Sequence, residues 1–339
     1  MSLYVGIDLH STRSVIVMKD QAGAQVGCHG VANDLGLMLK LLEPHRHELH
    51  GIAVESTFNW YWLVDGLMDA GFKVHLANPA AMKQYEGLKY ADDVTDAAWL
   101  AEMLRLGILP EGYIYPRQDR AVRDLLRKRS KLVRQRTQSI LGILGLLSNH
   151  TGRRPRTNEV KRWTYDDVDA VAPNEEVALS VRADLEVMHC LNDQIELVEK
   201  AVLSRARLRP EYNVLLTTDG IGEILAMLIM YETGDIGRFA SAGHYASYCR
   251  RVDSKWMTNG KRKGSGNTRC GNKYLSWAFI EAATIAVRHN PVIKRFHQRK
   301  AAKRKNKIVA TGAVAHKLAR ACFHMLKKQE AFNVQRAFG

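Results

Sequence analysis

The chain has 339 residues and 46% hydrophobic content, enough for two or three packed units. Lys and Arg number 50 against 35 Asp and Glu, and the resulting net charge of +15 favours nucleic acid as partner over an acidic small molecule. Five scattered cysteines with no CxxC or Cys/His spacing argue against structural zinc, and free thiols fit a reducing compartment. No apolar run approaches the roughly 20 residues of a bilayer span. No signal-peptide pattern opens the chain, so a cytoplasmic protein without membrane partners is expected.

Residues 1–115 read as an α/β unit. Strands are expected over 4–8, 14–18, 51–54 and 73–77, with helices over 33–42, 60–70 and 95–106. Two strands followed by alternating α and β elements, with an aspartate in the first strand, give the RNase H-like order. Residues 116–210 read as a long helical or coiled-coil connector. Val122, Leu125, Leu126, Leu132, Val133, Ile140, Leu144 and Leu147 keep a helical period, and a second helix spans 175–205. Eight basic residues lie between Arg120 and Arg136 against one acid, Asp124; Arg123, Arg127 and Arg134 are candidate nucleic-acid contacts.

Residues 211–330 form a third, mainly α unit. The turn Gly220-Ile221-Gly222 opens a helix and offers backbone N–H groups to a phosphate, a tight turn between helices being the plainer reading. The Gly- and Lys-rich stretch 258–273 reads as a mobile backbone binder, with Lys261, Arg262, Lys263 and Lys273 facing phosphates. Residues 294–307 hold eight Lys or Arg and no acid, so Arg299, Lys300, Lys303 and Arg304 are further contacts. Trp60, Tyr61 and Trp62 read as core at helical spacing, with base stacking as the other reading.

The chemistry rests on four carboxylates. Asp8 and Glu55 end apolar, β-branched runs, and Asp93 and Asp96 share one face at the start of a helical stretch. Carboxylates are costly to gather at strand ends unless a cation holds them, and two divalent ions clamping a phosphodiester account for the grouping. Asp92 is the neighbour that competes with Asp93 for the assignment.

Val5-Gly6-Ile7-Asp8, Val54-Glu55-Ser56-Thr57, Asp93-Val94-Thr95-Asp96-Ala97, the Gly220–Gly222 turn, Arg238-Phe239 and Gly271-Asn272-Lys273-Tyr274-Leu275 fall in one order along nearly the whole chain. In that ordered set the chain resembles the DEDD-type insertion-sequence transposases, a group related to pilin-gene invertases and understood as bridge-RNA-guided recombinases. The resemblance implies a RuvC-like N-terminal domain, a coiled-coil connector and a C-terminal transposase domain. It also implies Mg²⁺ (or Mn²⁺) on Asp8, Glu55, Asp93 and Asp96, a structured guide RNA, and a serine nucleophile that links covalently to the DNA 5′ phosphate. Here the serine's place, just before a small residue and glycine, is taken by Thr258-Asn259-Gly260; Ser254 is the other candidate. Carboxylates and hydroxyl on separate domains imply a homo-oligomer, a dimer or tetramer.

Other readings compete. A RuvC-like nuclease or junction resolvase would use water and need neither hydroxyl. An actin-like ATPase is disfavoured by His10, where phosphate hairpins prefer glycine. A non-catalytic binder would leave Asp93 and Asp96 as helix-start charges, which does not explain Asp8 and Glu55. The thirteen histidines form no metal-like spacing.

Overall fold

A β-branched run with helices on both faces makes a central strand, and Leu3–Leu9 is one: all but one of its residues are buried. The computed structural model describes residues 2–82, 92–206, 209–253, 256–264 and 270–339, the side chains of Ala206, Trp256, Arg262 and Arg304 lying outside that description. The first unit, residues 1–117, contains β1 (Leu3–Leu9), β2 (Arg13–Lys19), β3 (Gln25–Ala32), α1 (Leu35–Leu42), β4 (Leu49–Glu55), α2 (Tyr61–Asp69), β5 (Val74–Ala77) and α3 (Asp93–Arg105). The sheet order is β3-β2-β1-β4-β5. β1, β2 and β3 pair antiparallel, whereas β1–β4 and β4–β5 pair parallel. This mixed sheet is compatible with an RNase H-like domain.

Its two faces have different covers. Val5, Ile7, Ile52 and Val54 pack with Met38, Leu42, Leu63 and Leu67 of α1 and α2. Ala53 and Ala77 pack with Leu100, Met103 and Leu104 of α3. Gly6 sets the second contact: a Cβ there would overlap the Ala97 carbonyl oxygen and the Ala101 nitrogen, so only glycine lets α3 lie this close to β1. The strand β3 is absent from the sequence-based expectation. It is an edge strand, exposed at six of eight positions and interrupted by Gly27 and Gly30, so it carries no two-residue alternation to read.

The second unit, residues 118–339, holds the rest. It comprises α4 (Arg117–Thr151, entering from the first unit), α5 (Thr157–Val160), α6 (Tyr165–Asp169), α7 (Glu175–Ala206), α8 (Pro210–Leu216), α9 (Glu223–Thr233), α10 (Ala242–Tyr248), the hairpin β6 (Trp256–Thr258) and β7 (Lys261–Gly264), α11 (Lys273–His289), α12 (Pro291–Arg304), α13 (Lys307–Lys328) and α14 (Val334–Phe338). Distally, α4 and α7 enclose Ile140, Leu144, Leu147, Val181, Leu185 and Met188 with Trp163 from the connecting segment. Proximally, Val122, Leu126 and Val202 join the same core as Leu215, Ile229, Phe279 and Phe323. The connector expected over 116–210 therefore shares its core with residues beyond 211. Among the described residues no helix is long and apolar enough to cross a membrane.

Two local expectations change. Gly220 packs on α11, where a Cβ would overlap the Ala282 carbonyl, and Ile221 is 4% exposed; the small-residue turn is a packing device. The described start of the 258–273 stretch is an antiparallel hairpin. Asn259 and Gly260 both have positive φ, 49° and 70°, as the Asn-Gly pair of a two-residue hairpin turn requires.

Candidate active site

Register brings the first two acids together. Ile7 of β1 lies opposite Val54 of β4, so Asp8 and Glu55, one residue further on, end adjacent parallel strands on the face that carries Gly6 and Ala53. That face is covered by α3, whose first turn holds Asp93 and Asp96. The four acids named from sequence thus meet at the carboxyl ends of β1 and β4 and the amino end of one helix. The helix dipole favours negative charge there.

Asp92 takes a different part. It is the N-cap of α3, its Oδ1 accepting from Thr95 N at 2.7 Å and Thr95 Oγ1 at 2.6 Å. Those hydrogen bonds hold its carboxyl below the usual range. The cap leaves Asp93 to face the cluster.

Asp8 is 3% exposed, and its buried Oδ2 makes no hydrogen bond of proper alignment. Its close contact is with His10, whose Nε2 lies 2.9 Å from Asp8 Oδ2 and 3.2 Å from Asp93 Oδ1. The charge of Asp8, with Asp93 helping against partial burial, raises the imidazole pKa. His10 was not assigned from sequence. The usable signal was its spacing: two residues beyond Asp8, it falls on the same face of an extended segment.

The remaining acids are under strain of like charge. Burial pushes the Glu55 carboxyl up to about 7, and contact with Asp8 and the charge of Asp96 add to it. Asp96 is raised by burial, then by Asp8 and Asp93. Glu55 and Asp96 also line a cavity of about 180 Å³ with Pro79, Met82, Trp99 and Leu100. Acids this close, one of them holding its proton to neutrality, form a site short of positive charge.

A divalent ion fits that deficit. Asp8, His10 and Asp93 each offer a ligand atom, all within 4.8 Å of one another. The imidazole nitrogen between two carboxylates stands where positive charge is wanted. Oxygen-rich donor sets suit Mg²⁺ or Mn²⁺, and an added imidazole is better tolerated by Mn²⁺.

The hydroxyl and cation candidates lie in the second unit. Thr258 is exposed, ends β6 and pairs with Lys261 across the Asn-Gly turn. Ser254 and the side chains of Arg262 and Arg304 lie outside the described residues. Arg134, Lys261, Lys263, Lys273, Arg299, Lys300 and Lys303 are exposed. On α12, Ile293 and Phe296 are buried, which turns the cations outward.

Arg123 and Arg127 are not placed as the sequence led us to expect. Arg123 is 8% exposed, and its Nε donates to Glu232 Oε2 at 3.0 Å. Arg127 donates to both Glu232 oxygens, at 2.5 and 2.9 Å. Glu232 is fully buried and also accepts from Asn272 Nδ2 at 2.7 Å. The sequence marks both as candidate nucleic-acid contacts, but they pair with an acid more than 100 residues away that no local pattern reveals. These arginines hold the fold together.

Comparison with known proteins identifies relatives of this chain. A DEDD transposase model of the IS110 type matches residues 5–151, and a transposase model of the IS116/IS110/IS902 family matches residues 212–298. The chain is 24% identical over 293 residues to a probable family 20 transposase of Pseudomonas aeruginosa, covering 83% of this chain and 85% of the relative. It is 26% identical over 286 residues to the transposase for insertion sequence element IS1111A of Coxiella burnetii, covering 81% and 76%. It is 24% identical over 237 residues to the transposase for insertion sequence element IS1328 of Yersinia enterocolitica, covering 69% and 70%. A DEDD domain implies divalent-metal use, and a transposase implies DNA as substrate. Matched over residues 5–151 and 212–298 by models of one family, and similar over most of its length to named transposases, the chain belongs to the IS110 family of DNA transposases.

Proposed function

We propose that this transposase cuts and rejoins DNA strands at insertion-sequence ends through a RuvC-like metal site and a hydroxyl nucleophile. Asp8, Glu55, Asp93 and Asp96 hold Mg²⁺ (or Mn²⁺), with His10 beside them. The carrying observation is the convergence of these acids around the His10 imidazole, which lies against Asp8 and Asp93, with Glu55 pushed up to about 7. Bound metal supplies charge stabilisation for the phosphodiester and lowers the pKa of an attacking oxygen.

The nucleophile is the hydroxyl of Thr258 or Ser254. Its oxygen bonds to phosphorus as the P–O3′ bond breaks. The hydroxyl proton is given up, the departing 3′ oxygen takes one, and the 5′ phosphate stays on the protein. Attack by another 3′ hydroxyl reverses the exchange and frees the side chain. Thr258 fits by position: it is exposed, and the tight turn behind it presents Lys261 across the hairpin. Lys261, Arg262 and Lys263 neutralise charge on the scissile phosphate.

The exposed cations Arg134, Lys273, Arg299, Lys300 and Lys303, with Arg304, contact the nucleic-acid backbone, including that of a structured guide RNA. The α4–α7 hairpin serves as a coiled-coil connector in a homo-oligomer, a dimer or tetramer, whose subunits share an active site.

The test is a strand-transfer assay with matched DNA ends, the RNA transcribed from the element's flank and Mg²⁺. It compares wild type with Asp8→Ala, Ser254→Ala and Thr258→Ala, and looks for protein covalently attached to DNA after denaturation. An adduct lost in Asp8→Ala and in one hydroxyl variant is expected. Cleavage without adduct, indifferent to both hydroxyl variants, would replace this mechanism by hydrolysis with water.

A further inference from the structure

The aromatic segment after Glu55 divides in the fold. Trp60 is 8% exposed in the sheet core, and Tyr61 and Trp62 pack against that core. Phe58 is 83% exposed, the highest value of any large apolar side chain among the described residues. A single exposed apolar residue is ordinary on a surface. What sets Phe58 apart is how its backbone is held.

The turn is tied on both sides to the carboxylate site. Thr57 N donates to Glu55 O at 2.9 Å. Thr57 Oγ1 donates to Asn59 Oδ1 at 2.9 Å, and Asn59 Nδ2 donates to the His10 carbonyl at 2.9 Å. The same carbonyl accepts from Asn33 Nδ2 at 2.9 Å. Phe58 therefore lies three residues from Glu55, on a turn pinned to the residue whose imidazole touches Asp8 and Asp93. Its anchors fix the turn with the ring turned outward.

We propose that Phe58 stacks on a base of the DNA strand whose phosphodiester enters the carboxylate site, setting which phosphate reaches the acids. This assignment rests on the reading that DNA is cut at that site. A nucleotide bound there by its phosphate brings one flat apolar surface with it, the base, and an uncharged ring matches that surface. Stacking tolerates any base, because every base has a π face. Phe58 thus governs position along the strand and leaves sequence choice to other parts of the complex.

The experiment uses the full-length protein, junction DNA, the flanking transcript and Mg²⁺, with the scissile step first mapped for wild type. Single-turnover cleavage is compared for wild type, Phe58→Trp, Phe58→Leu and Phe58→Ala. Phe58→Trp should stay within about twofold, while the Leu and Ala variants fall roughly ten- to a hundredfold, the range of aromatic–base stacking. An abasic nucleotide, placed in turn at each position within two of the scissile step, should at one position slow wild type to the rate of Phe58→Ala without slowing that variant further. Thermal unfolding of Phe58→Ala should match wild type, since so exposed a ring adds little to the core. Wild-type cleavage by Phe58→Ala, equal rates for the Leu and Trp variants, or independent abasic and Ala effects at every position would each overturn the assignment. Wild-type protein without Asp8-dependent cleavage would instead remove the active-site reading, and the stacking assignment with it.

Discussion

Two groups of charged residues are gathered in this chain, and they differ in how the charge is balanced. In the second unit, Glu232 is fully buried, yet burial's upward push on its pKa is outweighed by a hydrogen bond from Arg127 and the charges of Arg123 and Arg127, with Asn272 assisting, and the net shift is downward. In the first unit, Asp8, Glu55, Asp93 and Asp96 stand together with the His10 imidazole against Asp8 and Asp93, and Glu55 is pushed up to about 7. A balanced cluster is architecture. A cluster left short of positive charge is poised for a ligand that supplies it.

The comparison is broken most severely by removing one member from each cluster. Asp8→Ala should lower strand cleavage on the order of a thousandfold, the several kcal/mol that metal charge stabilisation provides, measured by single-turnover kinetics. Its metal-free melting temperature should hold or rise, because a like charge has left. Glu232→Ala should do the reverse and cost about 3–5 kcal/mol of stability, the usual loss when one partner of a buried ion pair is removed. Urea unfolding followed by circular dichroism measures it, and Glu232→Gln should fall between wild type and Ala.

Metal sharpens the contrast. At a hundredfold excess over its dissociation constant, Mg²⁺ or Mn²⁺ should stabilise wild type by about 2.7 kcal/mol and leave Asp8→Ala unmoved. Glu232→Gln should gain as much from metal as wild type does, since its cluster is already satisfied. Equal metal stabilisation of wild type and Asp8→Ala would remove the carboxylates from metal binding.

The pH dependences should run in opposite directions. In metal-free protein Glu55 keeps its proton to about pH 7, whereas an unfolded glutamate releases it near its ordinary value of 4.5. The unfolded state then binds fewer protons across that window, so stability should fall as pH rises through it. His10 adds to the fall: its contribution is complete below its unfolded value of 6.5 and is lost as pH climbs through its raised folded value. Glu232 works at the acid end, where its contribution is present above 4.5 and lost as pH drops through its lowered folded value. Thermal melts against pH should show Glu55→Gln flattening the neutral limb and Glu232→Gln flattening the acid limb.

How much of this was legible depended on the reach of each signal. The central strands β1, β2 and β4 were readable because burial on both faces demands unbroken apolar runs. The acids that end β1 and β4 stood out against those runs. The edge strand β3 was not readable, since one partner and an exposed face leave it free of apolar patterning. The Asn259-Gly260 turn was local and could have been read as a hairpin. The fate of Arg123 and Arg127 could not, because the balancing acid comes from another helix.

Local pattern by itself pointed to the family, singled out four acids as candidates and laid out the alternation of strands and helices in the first unit. Each is written in residues close together in sequence, or in an order that survives without coordinates. Only the tertiary structure decided that Asp8 and Glu55 are register neighbours under α3, that Gly6 lets that helix come close enough, and that His10 faces two of the acids. It alone separated arginines bound to Glu232 from cations open to solvent, and Phe58 from the tryptophans beside it. Burial and charge balance are properties of what surrounds a side chain, and the surroundings are assembled from segments far apart in the chain.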